Sequence, residues 1–410
     1  MINCRVCESN SFMEVLDLGF SPLANNLLQS KEEECDIFEL KMIKCKNCHN
    51  CQLSKVIKPE KMFKNYLFLS STAKTTKNHF FEAAEKYAEF FKLDTKSKVV
   101  DIGSNDGTAL MPFKKRGINV IGVDPAENIS KIANSNGIYT INNFFNKEVA
   151  SFIRKEHGLV DLVIASNVFA HADNIKEIAV NAFDILKDNG TFIVEAQYLL
   201  NTIKDLTFDN VYHEHVNYWS LTSLNYFFKS LGFIVYKCEL IDTHGGSIRV
   251  YVSKDKDIAV DNSIVDNLTL EQEFGITKES VYVEFSKKIQ NIKNNIVKNI
   301  NILCSSNIIA GYGSPAKATT ALNYYGINDK HISFIIEDNE LKHGRYVPNV
   351  KIPIVSKTMI DKIKPNIIIV FAWNYYDEIL KNNTKLVEDG VRFINIKDLE
   401  NENFDCSTNV

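Results

Sequence analysis

Two pairs of closely spaced cysteines near the amino terminus constrain the fold of this chain more than any other feature. Two residues separate Cys4 from Cys7, and two residues separate Cys45 from Cys48. Thiolates at this spacing can converge on one tetrahedral zinc ion and leave no open coordination position, as in structural zinc sites. A catalytic zinc would need a vacant position and usually histidine or carboxylate ligands. We therefore predict a structural zinc that holds together a short segment with little core of its own.

A fifth cysteine close to the second pair leaves the identity of one zinc ligand undecided. Cys51 repeats the two-residue spacing after Cys48, so it could replace one ligand or lie nearby, and we favour the first four cysteines. Six of the nine cysteines fall within the first 51 residues, and five of these six form the two closely spaced groups Cys4, Cys7 and Cys45, Cys48, Cys51. Such clustering is typical of metal binding rather than of disulfides. The two pairs are further apart than in a compact zinc ribbon, so the intervening SPLANNLL segment is expected to form a loop with a role of its own. The zinc domain is predicted to span residues 1–70.

Length and composition restrict the class of protein. A chain of 410 residues exceeds the size at which one hydrophobic core stops growing, so two or three domains are expected. With 45% hydrophobic residues, 24% charged residues and a net charge of -4, the chain has no electrostatic bias toward polyanions, so nucleic acid is not expected as a partner. The first residues, MINCRVCESNSF, lack the basic and apolar regions of a signal peptide, and no apolar run approaches the roughly 20 residues that span a bilayer. We therefore expect a cytoplasmic protein without a membrane partner, in an oligomeric state that the sequence leaves open, a monomer included.

A polar and aromatic loop is predicted just before the second domain. The segment YLFLSS contains Tyr66, Phe68, Ser70 and Ser71 and is followed by an amphipathic helix. Loops at the edge of a domain often carry binding residues, so this loop could form a lid over a substrate. A tether packed on the surface is the alternative, with about equal weight.

A glycine turn after a β-branched strand marks the second domain, predicted over residues 71–254. The segment KVVDIGSNDG places Asp101, Gly103 and Gly107 where the backbone can approach a ligand at the carboxyl end of the first strand. About 20 residues later a second strand ends in Asp124, positioned to accept hydrogen bonds from ribose hydroxyls. The turn lacks the G-x-G-x-x-G spacing of dinucleotide folds. Its form, D-I-G-x-x-x-G, resembles the first motif of S-adenosylmethionine (SAM)-dependent methyltransferases.

The stretch FDNVYHEHVNYWS concentrates titratable side chains. Tyr212, His213, Glu214 and His215 are consecutive, after the fifth predicted strand of the second domain. Histidine has the unperturbed pKa closest to neutrality, so a neighbouring carboxylate and phenol can tune or orient it as a proton acceptor. A polar loop with satisfied histidines has about even odds on composition alone. The position of the cluster, where two clefts could meet, favours catalysis.

The second domain is expected to close with a β-hairpin. Two β-rich runs follow a helix predicted from its N-cap candidate Ser220 to Gly232. Between these runs lies the loop His244-Gly245-Gly246. This loop is either a close backbone approach to a ligand or a flexible turn, and the two are equally weighted.

A second strand, glycine turn and helix lie near the carboxyl terminus. Residues 255–305 show apolar residues at helical spacing, which predicts a helical connection. The segment GYGSPAKATTALNYYGI opens a domain predicted over residues 306–410. Its backbone amides and helix amino terminus could hold phosphates, with Lys317 as the countercharge. A phosphate site beside a methyl-donor site would suggest a nucleotide-bearing substrate. The alternative is a glycine turn with a purely structural role.

Taken together, the cysteine pairs with SPLANN, then YLFLSS, DIGSNDG, SNVFAH, FDNVYHEHVNYWS, HGGSIRVYV, GYGSPAKATTALNYYGI and FAWN resemble the nucleotide-sugar C-methyltransferases of deoxysugar pathways. The match runs in order over nearly the whole chain. The resemblance implies an α/β fold with a small zinc-binding amino-terminal domain, a central class I SAM-methyltransferase domain and a second Rossmann-like domain for the nucleotide sugar. It implies SAM and structural zinc as cofactors.

The resemblance also implies an activity. Such an enzyme methylates a ring carbon, typically C-3, of a 4-keto nucleotide-linked deoxysugar through an enolate, in the synthesis of a branched sugar for a surface polysaccharide or a glycosylated metabolite. Two alternatives are kept, methylation of a sugar hydroxyl and a non-catalytic zinc and SAM-fold scaffold. The sugar, its nucleotide base and the stereochemistry of methylation stay open.

The resemblance assigns roles to individual residues. The family pattern Y-x-E-H falls on Tyr212, Glu214 and His215, with His215 as the base for the C-3 proton, and His213 fills the variable position without a role. The expected catalytic residues are His215, Tyr212, Glu214, Tyr66 and His171. The expected cofactor-binding residues are Asp101, Gly103, Asn105, Gly107, Asp124 and Asn167. The expected substrate-binding residues are His244, Gly245, Arg249, Gly313, Lys317 and Asn323, and the expected zinc ligands are Cys4, Cys7, Cys45 and Cys48.

Overall fold

Three β-sheets organise the part of the chain that the structure describes. The computed structural model describes residues 2–58, 62, 69–72, 74–243 and 245–405. The strands of the first half are β1 (Phe12–Pro22), β2 (Ile37–Cys45), β3 (Cys51–Leu53), β4 (Lys98–Ile102), β5 (Asn119–Asp124), β6 (Thr140–Asn142), β7 (Val160–Ser166) and β8 (Leu186–Gln197). Those of the second half are β9 (Asn217–Tyr218), β10 (Ile234–Ile241), β11 (Ser247–Ser253), β12 (Ile309–Tyr312), β13 (Ile335–Ile336), β14 (Ile354–Val355), β15 (Ile367–Val370) and β16 (Arg392–Asn395).

Helices connect and cover these sheets. Those up to the end of the second sheet are α1 (Lys74–Phe90), α2 (Met111–Lys115), α3 (Glu127–Ser135), α4 (Lys147–His157), α5 (Ile175–Ile185), α6 (Leu199–Lys204) and α7 (Leu221–Ser230). The remaining ones are α8 (Asn262–Phe274), α9 (Glu279–Cys304), α10 (Ala316–Tyr325), α11 (Met359–Ile363), α12 (Tyr376–Lys381) and α13 (Thr384–Glu388). No helix within the described residues combines the length and the apolar character that crossing a membrane requires.

The amino-terminal sheet is antiparallel, in the order β1-β2-β3-β9. Its fourth strand comes from the stretch that the sequence placed after the fifth strand of the second domain. Tyr218 of β9 pairs with Cys51 of β3, and Asn217 pairs with Gln52. The zinc domain and the predicted catalytic stretch therefore share one sheet.

The central sheet has seven strands in the order β10-β11-β8-β7-β4-β5-β6. Five of them, from β8 to β6 in that order, are parallel, and β10 and β11 form the predicted antiparallel hairpin. The parallel strands read as nearly continuous apolar runs because helices cover both faces of the sheet. Ligands of such sheets bind at the carboxyl ends of the strands, where the order reverses between β4 and β7. The expected class I methyltransferase fold is confirmed.

The carboxyl-terminal sheet is parallel throughout, in the order β14-β13-β12-β15-β16, and its strands alternate with helices. This is the expected second Rossmann-like unit. The connection that precedes it consists of α8 and α9, and α9 buries the predicted apolar stripe that includes Phe285, Ile289, Ile296 and Ile300. The exact domain boundaries remain a prediction.

The SPLANNLL segment joins the first and third sheets. The hydroxyl of Thr319 on α10 donates to the carbonyl of Ala24, at 2.9 Å. Leu28 forms a β-bridge with Tyr346. This loop therefore has the role of its own that its length suggested, since it contacts residues of the carboxyl-terminal domain.

Candidate active site and zinc site

The four predicted cysteine ligands converge. The sulfurs of Cys4, Cys7, Cys45 and Cys48 all lie within 4.8 Å of one another. A tetrahedral zinc with Zn–S bonds of about 2.3 Å separates its sulfurs by about 3.8 Å, so the four thiols fit the metal. Cys51 is buried in β3 and lies outside this four-sulfur group, as favoured from the sequence. A complete set of four thiolates leaves no position for a substrate, which makes the site structural.

The predicted cofactor turn follows β4. Gly103, Asn105 and Gly107 all have positive φ, at 69°, 50° and 79°. A Cβ on Gly103 would lie 2.6 Å from the side chain of Val168, so this position has no room for one. The sequence D-I-G-x-x-x-G thus brings backbone to the carboxyl end of β4, as a cofactor cradle requires.

Asp124 ties this turn to the next strand. Its two carboxylate oxygens accept the backbone N–H groups of Asn105 and Ala126, both at 2.9 Å. A carboxylate has further lone pairs, so ribose hydroxyls can still donate to it. Burial raises the pKa of Asp124, and burial reinforced by Asp124 raises the pKa of Asp101 to about 8. The residues present fit the adenosine part of SAM.

The loop before α1 contacts the same turn. The N–H of Ser70 donates to the side-chain oxygen of Asn105 at 2.9 Å, and the N–H of Ser71 donates to Asp106 at 3.0 Å. Tyr66 and Phe68 lie outside the described residues. The predicted lid therefore stays a prediction, although its last two residues reach the cofactor turn.

Tyr212 and His215 form a hydrogen-bonded pair. The Tyr212 hydroxyl lies 2.9 Å from Nε2 of His215, and Nδ1 of His215 lies 2.8 Å from the carbonyl oxygen of Asn210. A carbonyl can only accept, so Nδ1 carries the proton and Nε2 of the neutral ring is the basic nitrogen. This is the arrangement of an oriented general base.

The loop after β7 brings a second imidazole, that of His171, to His215. The rings of His171 and His215 are 4.9 Å apart between centroids and inclined at 69°. In the same loop Asn167 has a φ of 60° and donates its N–H to the carbonyl of Glu195, at 2.7 Å. The structure therefore places His171 beside His215 and Asn167 at the carboxyl edge of the central sheet.

Glu214 is hydrogen-bonded to the amino-terminal domain. The amide of Asn25, in SPLANNLL, donates to Oε1 of Glu214 at 2.6 Å. Oε2 has no hydrogen-bond partner among the residues that the structure describes. Burial raises the pKa of Glu214 to about 7, so the carboxyl group changes protonation near neutrality. The sequence did not identify Asn25 as a site residue. Its signal was the unusual length of the connection that contains SPLANNLL.

His213 has a structural environment. Its Nε2 donates to the carbonyl of Glu39 at 3.3 Å, and its ring lies edge-on to Phe38. Burial lowers the pKa of His213, which favours the neutral ring. These contacts explain its presence through packing on β2, and no catalytic role is needed.

Arg249 lies in a buried ion pair. Its guanidinium donates two hydrogen bonds to one oxygen of Glu195, at 2.9 and 2.7 Å, and one to Glu239, at 3.2 Å. His79 lies 2.8 Å from the other oxygen of Glu195. Although burial opposes ionisation, His79 and Arg249 hold the pKa of Glu195 at about 2. The structure thus gives Arg249 acidic protein partners, and its assignment to substrate remains a prediction.

Replacing Arg249 with methionine is expected to lower the free energy of unfolding by about 3–5 kcal/mol, because Glu195 would lose its main countercharge inside the protein. Denaturant unfolding measures this. The matched control is Arg154→Met, which removes an exposed ion pair with Asp184 and should cost at most about 1 kcal/mol. Unchanged stability together with a raised substrate KM would instead make Arg249 a substrate ligand.

The glycine turn of the third sheet has an acidic neighbour that the sequence analysis missed. Gly313 has a φ of 83°, and a Cβ there would lie 2.7 Å from Cβ of Ala372. Glu337, directly after β13, accepts the Ser314 N–H at 3.0 Å and its hydroxyl at 2.6 Å. Although burial opposes ionisation, Lys342 and Ser314 keep the pKa of Glu337 below its usual value. An acidic residue after the second strand of a Rossmann unit is the usual signal for a ribose site.

Lys317 and Gly245 lie close to Trp373. The Lys317 amine is 4.9 Å from the centre of the Trp373 ring, and a Cβ on Gly245 would lie 3.5 Å from the same ring. Burial lowers the pKa of Lys317, opposed by the carboxylate of Asp209. The side chain of Asn323 donates to the carbonyl of Thr319 on its own helix, at 2.8 Å. His244 lies outside the described residues.

Three family models match the chain in order. They are a zinc binding domain over residues 4–63, a methyltransferase domain over residues 76–237 and a C-methyltransferase C-terminal domain over residues 242–396. Their order agrees with the three sheets of the fold.

Known proteins resemble the chain to different extents. It is 34% identical to the C-methyltransferase NovU of Streptomyces niveus over 395 residues, which cover 95% of this chain and 94% of that protein. It is 25% identical to the ubiquinone biosynthesis O-methyltransferase of Rickettsia canadensis over 114 residues, which cover 27% of this chain and 47% of that protein. A solved SAM-dependent methyltransferase from Archaeoglobus fulgidus matches 43% of this chain and 94% of its own length, with 17% identity and a TM-score of 0.35, too low to carry weight.

The relationship to NovU decides the family, because it extends over nearly the whole of both chains and not over the methyl-donor domain alone. The geometry of the glycine turn with Asp124 fits SAM, and the four converging thiols fit a zinc ion. The chain therefore belongs to the family of SAM-dependent C-methyltransferases that carry a zinc-binding amino-terminal domain.

Proposed function

We propose that this enzyme methylates C-3 of a 4-keto nucleotide-linked deoxysugar through an enolate. The observation that carries the proposal is the pair formed by Tyr212 and His215, in which Nε2 is the basic nitrogen. SAM supplies the electrophilic methyl group. The product would be a branched sugar for a surface polysaccharide or a glycosylated metabolite.

The base has to create a carbon nucleophile. A ketone at C-4 acidifies the proton on C-3, and Nε2 of His215 takes that proton while the electron pair moves onto the ketone oxygen. The Tyr212 hydroxyl, which lies 2.9 Å from Nε2, can then donate to the developing oxyanion. His171, which packs edge-on against His215, offers a second polar contact or an acid. Tyr66 is assigned to the same oxyanion by the family resemblance alone.

Glu214 is the chain neighbour of the proposed proton acceptor. It directly precedes His215 in the chain, and Asn25 holds one of its oxygens at 2.6 Å. With a pKa of about 7, its neutral form is available to donate a hydrogen bond from Oε2. We assign to Glu214 the orientation of the substrate ring or the desolvation of the site.

The third sheet is the proposed nucleotide site. The amino terminus of α10 follows the Gly313 turn, and backbone amides there favour phosphate. Lys317 in the first turn of α10 supplies a positive charge, and Glu337 at the end of β13 suits a ribose hydroxyl. Asn323, Gly245 and His244 are retained as substrate contacts. These features support a nucleoside diphosphate sugar without selecting its base.

A matched pair of substrates tests the proposal. The enzyme is incubated with SAM and either a 4-keto nucleotide sugar or the same sugar with a 4-hydroxyl, and the products are analysed by mass spectrometry and NMR. We expect one added methyl group, bonded to C-3, on the keto sugar alone. A methyl group on oxygen, or equal reaction of the hydroxy sugar, would indicate sugar O-methylation instead. Absence of SAM binding in calorimetry would indicate a scaffold.

A further inference from the structure

A short 3-10 turn lies between the base and the carboxyl-terminal domain. The turn comprises Phe208–Asn210, in the connection between α6 and β9. Its last carbonyl, that of Asn210, accepts the Nδ1 proton of His215 at 2.8 Å. On its other side Phe208 packs against Tyr324 and Tyr325 of α10, with ring centroids 5.2 and 5.5 Å apart. The position of this carbonyl therefore depends on how the turn rests on the third sheet.

One hydrogen bond fixes the middle of this turn. The indole Nε1 of Trp373 donates to Oδ2 of Asp209 at 2.8 Å. Asp209 is 5% exposed, and its Oδ1 has no hydrogen-bond partner within the described part of the chain. Trp373 begins a second 3-10 turn, Trp373–Tyr375, just after β15. The Trp373 indole of the carboxyl-terminal domain thus donates directly to a buried carboxylate on the stretch that contains His215.

We propose that Asp209 and Trp373 form a clasp that positions the His215 imidazole in the tautomer with the proton on Nδ1. A neutral imidazole can carry its proton on either nitrogen, and the partner of one nitrogen decides which form is present. The clasp holds the Asn210 carbonyl where it can accept from Nδ1, so the lone pair of Nε2 stays directed toward Tyr212. Both residues act through His215 and are positioning residues. The inference rests on the proposed function only for its effect on turnover.

The clasp also connects the base to the proposed nucleotide site. The Lys317 amine lies over the Trp373 ring, 4.9 Å from its centre, and the Lys397 amine lies 5.5 Å from it. Lys317 also interacts electrostatically with Asp209. An anionic group held by these lysines would act on the same indole that holds the turn. Binding in the third sheet and orientation of the base are therefore coupled through one side chain.

The test uses Trp373→Phe, which keeps an aromatic ring but removes the N–H donor, and Asp209→Asn, which keeps the shape and one acceptor oxygen. Histidine labelled with ¹⁵N reports the tautomer, with the His215 signals assigned from a His215→Asn variant. In the wild type we expect the proton on Nδ1. In Trp373→Phe we expect a mixture of tautomers and a kcat lower by about 10–100-fold, with unchanged SAM affinity. For Asp209→Asn we expect a tautomer ratio and a kcat between those of the wild type and those of Trp373→Phe.

The control is Tyr376→Phe, which removes a hydrogen bond of 3.1 Å to the Phe393 carbonyl inside the carboxyl-terminal domain. It should leave both the tautomer and kcat unchanged. Thermal melting and SAM calorimetry on each variant establish that it is folded. Wild-type tautomers in both Trp373→Phe and Asp209→Asn would overturn the clasp, even if the wild type methylates C-3. A changed tautomer together with methylation of oxygen would leave the clasp intact and refute the proposed reaction.

Discussion

Replacing His215 with asparagine is expected to lower the rate of methyl transfer by about 10²–10⁴-fold, the usual contribution of a general base. The loss should appear in kcat, because the base acts on the C-3 proton and not on the binding of SAM. Nε2 is the basic nitrogen of the ring, with the Nδ1 proton committed to Asn210. An asparagine can occupy similar space without accepting a proton at neutral pH.

Isotope exchange isolates this step from methyl transfer. Enzyme and keto sugar are incubated in deuterated water with S-adenosylhomocysteine, which cannot donate a methyl group, and deuterium at C-3 is measured by NMR. The wild type should incorporate deuterium, and His215→Asn should not. His213→Asn is the matched control, because that neighbouring imidazole packs on β2 and its loss should leave exchange in place. Continued exchange in His215→Asn would assign the base to another residue.

Replacing Cys45 with serine is expected to release zinc and unfold the amino-terminal sheet. Structural zinc contributes about 10–16 kcal/mol in small zinc-dependent folds, which is comparable with the whole stability of a domain. Cys45 ends β2 and is fully buried, so its thiolate cannot be replaced by water without opening the sheet. Zinc content by elemental analysis and thermal melting measure the effect.

The effect of zinc loss should extend to catalysis but spare cofactor binding. β9 pairs with β3 of the zinc sheet, and Asn25 holds Glu214. We therefore expect Cys45→Ser to lose methyl transfer while calorimetry still detects SAM in the central sheet. Cys304→Ser is the control, because that thiol donates to the His331 carbonyl and is not one of the four clustered cysteines. Full activity of a zinc-free protein would contradict the inference that zinc supports catalysis through the sheet that β3 and β9 share.

The features that the sequence predicted are those encoded over short distances. The spacing of Cys4 and Cys7 specifies a pair of metal ligands. The sequence D-I-G-x-x-x-G specifies a turn, because the positive φ at Gly103 favours glycine. Apolar runs predicted the parallel strands of the central and carboxyl-terminal sheets, since strands buried on two faces need apolar side chains throughout. The density of titratable groups at Tyr212–His215 predicted that a phenol or a carboxylate orients a histidine there, and Tyr212 does contact His215. In each case the residues that carry the signal are neighbours in the chain.

The features that only the tertiary structure decided join distant segments. Asn25 and Glu214 are 189 positions apart, and Trp373 and Asp209 are 164 apart. The pairing of β9 with the zinc sheet joins segments that the sequence assigned to different domains. Local propensity carries no information about such contacts, because they form only where packing of whole domains brings the segments together. The sequence by itself therefore determined the chemistry available to this protein, and the packing of its three sheets decided which partners hold that chemistry in place.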